Sequence, residues 1–364
     1  MYESRRNTHT VSRHPLMELL LLSTLTGCAS PSPQGPPEEL IETNDIEQIF
    51  DETNDDATGA EETGEETETE EETETETEEE TEEETEEEQV FEGDYQWSKY
   101  GASLCDEGSM WTVEGSVEIS GADDLSGLHC LTDITGDLTI TQNPTLTTLT
   151  GLDALQSVAG RLTVSENDAL SSLDGLGALE DIDQLTVSEN DALSSLSGLG
   201  AVMYLDELHI EENLLLEDLS GLEDLTRVYG TLYLHENHQL HDLSALENLT
   251  DVYYDLTISD NDALVSLTGL EGLGWADRGV YISDNDALLT LDGLEGISTS
   301  DGSIKINNND ALTSMMGLGS TYSEYGVSII NNDMLPNSDA EAWADKYLWM
   351  GTKAELYIAN NADE

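Results

Sequence analysis

The chain has 364 residues and a formal net charge of −70, from 10 Lys+Arg against 80 Asp+Glu. A polyanion of this kind is repelled by nucleic-acid phosphates and by anionic lipid headgroups, which excludes both as partners. Cations, basic proteins and neutral glycans are left as partner classes.

The N-terminus has the pattern of a secretion signal. Arg5, Arg13 and their basic neighbours precede an apolar run, Leu16–Leu25, that is too short to cross a bilayer. The run ends in Leu-Thr-Gly-Cys, which resembles the bacterial lipobox, whose cysteine is acylated and becomes the mature N-terminus. We predict a lipoprotein signal peptide over residues 1–27 and lipidation at Cys28; the alternative is an ordinary signal peptide with an incidental cysteine. Because Ala29 is not aspartate, the resemblance implies the outer membrane, on its surface or its periplasmic face.

Residues 28–92 are predicted to be a disordered acidic tether. The segment opens with prolines and becomes Thr/Glu low complexity from Glu61 to Glu88. Such a sequence has almost nothing to bury and repels itself, so it stays extended. We expect it to hold the folded domain away from the membrane.

The cysteines that remain predict a disulfide. If Cys28 is lipidated, Cys105 and Cys130 are left as a pair in an oxidising compartment. Closing a loop of that size stabilises a fold by roughly 3 to 4 kcal/mol in the chain-entropy model.

From residue 93 onward an asparagine recurs at a pitch of 23 or 24 residues, up to Asn332. A period in this range is typical of a solenoid, in which each repeat is one coil stacked on the next. We interpret the asparagines as a structural ladder that bonds turn backbone and the neighbouring coil. The ladder consists of Asn143, Asn167, Asn190, Asn213, Asn237, Asn261, Asn285, Asn309 and Asn332, with Asn361 after one longer step.

Within a repeat, the apolar spacing predicts strands and turns. Leu162 and Val164 alternate as in a short strand, whereas the spacing of three from Leu170 to Leu185 does not match an amphipathic helix. Gly175 and its counterparts suit the tight turns. We predict an all-β solenoid with an N-terminal cap over 93–116, coils over 117–336 and a C-terminal cap over 337–364. Its eleven strand starts are Val117, Leu138, Leu162, Leu185, Leu208, Leu232, Leu256, Val280, Ile304, Val327 and Leu356.

The C-terminal cap is predicted to contain a helix. Asp339–Trp349 has helical character, with Ser338 as the N-cap and acids in the first turn. We expect Trp343 and Trp349 to cover the end of the core, and one last strand to follow at Leu356–Ile358.

The repeat resembles the receptor L-domain, a leucine-rich-repeat-like right-handed β-helix. The shared phrase, I/V-x-G-x-L-x-I, appears as Ile134–Ile140 and Val228–Leu234, and a third copy starts at Val158. The resemblance covers about residues 112 to 361, which hold about eleven coils by the strand starts, and it implies a binding or scaffold surface, not catalysis. Bacterial lipoproteins with such coils behind an acidic stalk are similar in layout. The chain has no cysteine-rich or kinase module, so receptor signalling is not implied.

The outward face of the predicted sheet is our candidate ligand face, with a plain solvated face as the alternative. Near its centre, aromatic and hydrogen-bonding side chains replace the threonines of the earlier strands, as a recognition surface requires. The candidate residues are Glu207, His209, Glu211, Tyr233, His235, Tyr281 and Lys305.

Two columns of acids flank the asparagine ladder. One column comprises Glu166, Glu189, Glu212, Glu236, Asp260 and Asp284, and the other Asp168, Asp191, Asp262, Asp286, Asp310 and Asp333. Rows of carboxylates suit Ca²⁺; the alternative is a hydrated acidic edge. Asp168, Asp191, Asp262, Asp286 and Asp310 are the candidate calcium ligands.

A histidine-rich stretch is a second candidate metal site. A transition metal could bind four histidines together with nearby glutamates: His209, His235, His238 and His241. The alternative is that these are scattered surface histidines. No other cofactor is expected.

Nucleophile, phosphate-loop and dinucleotide motifs are missing from the sequence, so we expect no enzyme. The sequence instead predicts a membrane-anchored lipoprotein whose solenoid recognises an unknown protein or glycan, or mediates adhesion, at the cell envelope. The alternatives are a structural envelope spacer and a metal-binding module.

Overall fold

The computed structural model describes residues 88–100, 104–105, 109–200, 202–298, 302–351 and 354–362. The chain divides into two units, Met1–Glu78 and Glu79–Glu364, and all described residues belong to the second. The predicted signal peptide, the lipidation site Cys28 and most of the predicted tether lie outside the described residues.

The described part is an all-β parallel solenoid, as predicted. Each coil contributes one strand to a first strip, and neighbouring strands are parallel and in register, with Leu162 opposite Leu185 and Leu185 opposite Leu208. All eleven predicted strand starts lie in strands of this strip, and Tyr95–Gln96 precedes them. The strip comprises β2 (Tyr95–Gln96), β4 (Val117–Ile119), β6 (Leu138–Thr141), β7 (Ser157–Ser165), β8 (Asp181–Ser188), β10 (Glu207–Glu211), β12 (Leu232–His235), β14 (Asp255–Ser259), β16 (Gly279–Ser283), β17 (Ser303–Asn307), β19 (Gly326–Ile330) and β21 (Leu356–Ala359).

A second strip of short parallel strands runs beside the first, and the sequence did not predict it. It forms at the I/V position of the repeat phrase, just before the first-strip strand, and β7 and β8 are long enough to contribute to both strips. Its other strands are β1 (Glu88–Glu92), β3 (Met110–Glu114), β5 (Leu131–Ile134), β9 (Tyr204–Leu205), β11 (Arg227–Val228), β13 (Asp251–Val252), β15 (Trp275–Ala276), β18 (Thr321–Ser323) and β20 (Leu348–Met350). The strands of this strip pair in three separate groups: β1, β3 and β5 with β7 and β8; β9, β11, β13 and β15; and β18 with β20.

The leucines at a spacing of three form the core. Leu170, Leu173, Leu176 and Leu179 are fully buried. The amide of Leu176 donates to the carbonyl of Leu173, and that of Leu179 to Leu176, so the chain turns every three residues and sends one side chain inward each time. Short 3-10 turns occur at Ser126–Leu128 and Ser244–Leu246.

The N-terminal boundary differs from the prediction. Strand β1 starts at Glu88, inside the predicted tether, and pairs with β3, so residues 88–92 belong to the solenoid. Its apolar Phe91 packs on the core, which the Thr/Glu bias of the preceding residues concealed. A short helix, α1 (Trp97–Tyr100), follows β2. The predicted disulfide is confirmed, because Cys105 and Cys130 are bonded.

The predicted C-terminal helix is confirmed, but its bounds and cap were wrong. Helix α2 spans Asn337–Tyr347, its N-cap is Pro336 and not Ser338, and the described residues give it no side-chain cap bond. Trp343 covers the core as expected and donates from Nε1 to the carbonyl of Leu318 at 2.9 Å. Trp349 instead lies in β20 and is 71% exposed, because the helix ends at Tyr347 and the chain returns to a strand.

Candidate recognition surfaces

The asparagine ladder is structural, as predicted. Asn237, for example, is fully buried, and its Nδ2 donates to the carbonyls of Ile210 at 2.9 Å and His235 at 3.1 Å. Its Oδ1 accepts from the backbone and side-chain nitrogens of Asn213, both at 3.2 Å. The same pattern links each ladder asparagine to its neighbours, so the polar atoms of this column are used within the fold.

The residue before each ladder asparagine adopts a left-handed backbone, a feature that sequence reasoning missed. The φ values are between 53° and 58°. This conformation turns the chain at the end of each first-strip strand. The residues are Gln142, Glu166, Glu189, Glu212, Glu236, Asp260, Asp284, Asn308, Asn331 and Asn360.

The N-terminal parts of the two acid columns line one groove along this corner, about 510 Å³ in volume, which we call the acidic groove. It is lined by Glu166, Asp168, Glu189 and Asp191, and it ends near His238. Burial, reinforced by Glu212 and Glu166, raises the pKa of Glu189. The carboxylates therefore repel one another here, as expected for stacked like charges.

The metal candidates do not converge. Among the described residues, no group of three or more His, Cys, Asp or Glu side chains is arranged to hold a metal ion. His238 pairs with Asp262, with Nδ1 3.0 Å from Oδ2, while His241 Nδ1 contacts the carbonyl of Gln239 at 2.9 Å. The structure therefore distributes the histidine-rich stretch over the sheet, the corner and the following loop.

The central patch, defined as Glu207, His209, Glu211, Tyr233 and His235, lies on the outward face of β10 and β12. His209 is opposite Tyr233 in the strand register, with ring centroids 5.5 Å apart. The rings of Tyr233 and His235 are 5.4 Å apart, so the three side chains form one continuous aromatic surface. Burial, with Glu211 the next contributor, raises the pKa of Tyr233.

Charged neighbours hold the two ends of the central patch. Arg161 reaches Glu207 from two strands away, with 3.3 Å between Nη2 and Oε2. His235 lies between Glu236, 3.1 Å from its Nε2, and Asp260, 3.2 Å from its Nδ1. Strand register, the Arg161–Glu207 ion pair and the contacts of His235 with two carboxylates thus position the rings.

Tyr281 and Lys305, the other predicted face residues, lie three and four strands beyond His209 on the same face. They are opposite each other in β16 and β17, with Lys305 Nζ 4.9 Å from the Tyr281 ring centroid. Thr257 separates them from Tyr233. The structure therefore divides the predicted ligand face into two clusters.

The second strip carries an exposed aromatic row that sequence reasoning missed. We call Tyr204, Tyr229, Tyr253, Tyr254 and Trp275 the tyrosine strip; their exposed fractions are 45%, 44%, 40%, 43% and 44%. The Tyr229 and Tyr253 rings stack with centroids 5.5 Å apart, and Tyr204 is 6.3 Å from Tyr229. The signal was present in the sequence, because these aromatics flank the buried I/V position of successive repeats. Because the sequence predicted no second strip, these aromatic residues could not be assigned to one of its faces.

No known protein-family model matches the chain, and no curated protein is significantly similar to it. Among the residues that the structure describes, no helix has the length and apolar content needed to span a bilayer. Chemically, the two strips offer aromatic faces, carboxylates and a few paired bases on a rigid support, which suits binding.

Proposed function

We propose that this chain is a non-enzymatic lipoprotein, anchored to the bacterial outer membrane through Cys28, that presents its solenoid for ligand recognition or adhesion at the cell envelope. The parallel solenoid supports the resemblance to the receptor L-domain, and the tether preceding residue 88 would give the solenoid reach. The partner is a protein or a glycan.

One observation carries this proposal. The solenoid buries the core leucines of its repeats, yet it places half-buried aromatic rings on the outward face of the first strip, in the central patch, and exposed ones in the tyrosine strip. Exposed aromatic side chains on a rigid surface, next to charges that can be desolvated, are the features that dominate binding energy at interfaces. A spacer has no use for them, since threonine fills the same positions in β6, β7 and β8.

The central patch is tested by a triple substitution, His209→Ala, Tyr233→Ala and His235→Ala. Both variants are made in the Cys28→Ser chain, so that the lipid anchor does not hold the protein on the membrane. We expect the triple variant to lose binding of the labelled chain to envelope fractions, because the continuous aromatic surface is removed. The matched control replaces Thr139, Thr163 and Thr186 by alanine on the same sheet face. Equal binding by both variants, with melting temperatures unchanged, would favour the structural envelope spacer.

Membrane anchoring is tested at Cys28. Metabolic labelling with a radioactive fatty acid should mark the wild-type chain, and Cys28→Ser should be unlabelled and leave the membrane fraction. Protease treatment of intact cells then reports whether the solenoid is outside the cell. Release of the wild-type chain without label would contradict the lipoprotein assignment.

A calcium or metal-binding module is the alternative that the acidic groove favours. It predicts that millimolar Ca²⁺ raises the melting temperature by several degrees, since a cation would relieve the repulsion around Glu189. The recognition proposal predicts equal effects of Ca²⁺ and Mg²⁺, through screening alone.

A further inference from the structure

We propose that a notch on the first strip, beside Tyr281, binds one neutral pyranose unit of a glycan. The notch has a volume of about 630 Å³ and lies where β14, β16, β17 and the segment before β19 meet. It deepens the proposed recognition function and rests on it, but it uses a cluster separate from the central patch.

The notch forms because Gly279, in the row of outward-facing residues, has no side chain. Asp255, Gly279 and Ser303 are opposite one another in successive strands, so the row of outward side chains is interrupted at Gly279. The Tyr281 ring leans into the gap, because a Cβ at Gly279 would lie 2.6 Å from its Cε2 and Cζ atoms. Tyr325, 60% exposed, lines another side of the notch. The result is a concave site with aromatic side chains at its rim.

The charges around the notch are balanced, unlike those of the rest of the surface. Asp255, Asp277 and Arg278 are all part of its lining, and Lys305 lies over Tyr281 next to it. Burial raises the pKa of Asp255, and the charges of Arg278 and Lys305 act in the opposite direction. In a chain with 10 bases and 80 acids, two bases at one notch give it a local field that the acidic groove does not have.

This balance selects the ligand class. An anion would meet two aspartates and the negative field of the whole chain, and a cation would meet Arg278 and Lys305. A neutral pyranose has hydroxyls that can donate to the carboxylates and accept from the guanidinium, and an apolar ring face that can lie on a tyrosine. A concave site with a few polar groups among aromatic ones is the usual form of a small-ligand pocket.

The test uses saturation-transfer NMR on the full chain with three sets of probes. The neutral set contains oligomers of glucose, galactose, mannose and N-acetylglucosamine; the charged sets contain uronate oligomers and glucosamine oligomers. We expect transfer from at least one neutral probe and roughly tenfold weaker binding in Tyr281→Ala, which removes the stacking ring. Gly279→Ala, which displaces the ring without removing it, should weaken binding in the same direction.

Tyr357→Ala is the matched control, because Tyr357 is another exposed tyrosine on the outward face of the first strip. No transfer from any neutral probe, stronger transfer from a charged set, or unchanged binding in both Tyr281→Ala and Gly279→Ala would overturn the proposal. The triple variant of the central patch should bind the sugar normally. Loss of envelope binding in that variant, with no sugar binding in the wild type, would leave the recognition function standing and remove only this site.

Discussion

At the scale of single residues, the ladder asparagines explain why the repeat tolerates a polar side chain in its interior. A buried amide without partners is unfavourable, but asparagine carries a donor and an acceptor on one short side chain, and the coil uses both. Asn237 bonds backward to Ile210 and His235 and accepts from Asn213. Aspartate could accept in this position but could not donate to the carbonyls.

The ladder also offsets local backbone strain. A non-glycine residue with positive φ is unfavourable by about 1 to 3 kcal/mol, and glutamate has no special preference for that region. Glu236, directly before Asn237, has a φ of 53°. The bonds of the following asparagine fix the turn, which lets acids occupy a position where the chain would otherwise favour glycine or asparagine.

We predict that Asn237→Ala lowers the free energy of unfolding by about 3 kcal/mol or more, because it leaves buried donors and acceptors of two coils without partners. The control is Asn248→Ala, which removes one exposed bond to the carbonyl of Glu223 and should change stability by less than about 1 kcal/mol. Urea denaturation of both variants gives the comparison. Similar losses would contradict the structural role of the ladder.

At the scale of the element, the coil is a sequence of tight turns that need glycine at one corner. Gly269 has a φ of 111°, and a Cβ there would overlap the carbonyl oxygen of Leu243 in the preceding coil. This glycine therefore serves both the turn and the close approach of two backbones. The same holds for Gly151, Gly175 and Gly293, each against a leucine of the coil before it.

Gly269→Ala should destabilise the protein by about 2 kcal/mol or more, because the overlap is with backbone and cannot be relieved by a rotamer change. Gly274→Ala is a suitable control, since the nearest atom to its Cβ would be the Thr250 carbonyl oxygen at 4.0 Å. Thermal unfolding followed by circular dichroism measures both. If the two variants melted together, close coil packing at Gly269 would be refuted.

At the scale of the whole molecule, repulsion between like charges in stacked coils is the main term that opposes folding. Identical positions in successive coils place like charges one strand apart, about 4.8 Å. The pKa of Glu189, Asp260 and Asp310 is raised, in each case chiefly by burial, with neighbouring carboxylates adding to it. The molecule tolerates this repulsion because its leucine core is continuous through all coils.

This charge predicts an unusual pH dependence. A carboxylate whose pKa is higher in the folded than in the unfolded state binds more protons when folded, so the free energy of unfolding should rise as pH falls from about 7 toward about 4. Below that range stability should fall again, because hydrogen bonds from Ser126 and Ser244 lower the pKa of Asp124 and Asp242. Urea denaturation across this range tests the sign.

The matched variant for the pH profile is Glu189→Gln, which should be more stable than the wild type near neutrality and show a flatter profile. Roughly 0.5 M NaCl should flatten the wild-type profile too, since the groove is open to solvent. A steady loss of stability from pH 7 downward would show that favourable carboxylate interactions outweigh the repulsion.

The coil, the asparagine ladder, the strand starts and the disulfide could all be predicted from the sequence. Each depends on a repeat that is local and periodic, such as Leu170, Leu173 and Leu176 at a spacing of three. Residues 88–92 escaped prediction because the Thr/Glu bias of the preceding residues concealed them. Much of the second strip escaped prediction because a two-residue strand such as Tyr204–Leu205 has too few positions to show a period. Such a strand is stabilised by pairing with the strand of the neighbouring coil.

The candidate sites depended most on tertiary structure. Sequence placed His209 and Tyr233 on one face, and the strand register then brought their rings together. Only the structure put Tyr281 beside the gap at Gly279 and near Arg278, because those contacts depend on side-chain directions and on backbones from different coils. A repeat fixes where each coil begins. The stacking of the coils then determines which surface residues become neighbours, and this stacking exists only in the assembled solenoid.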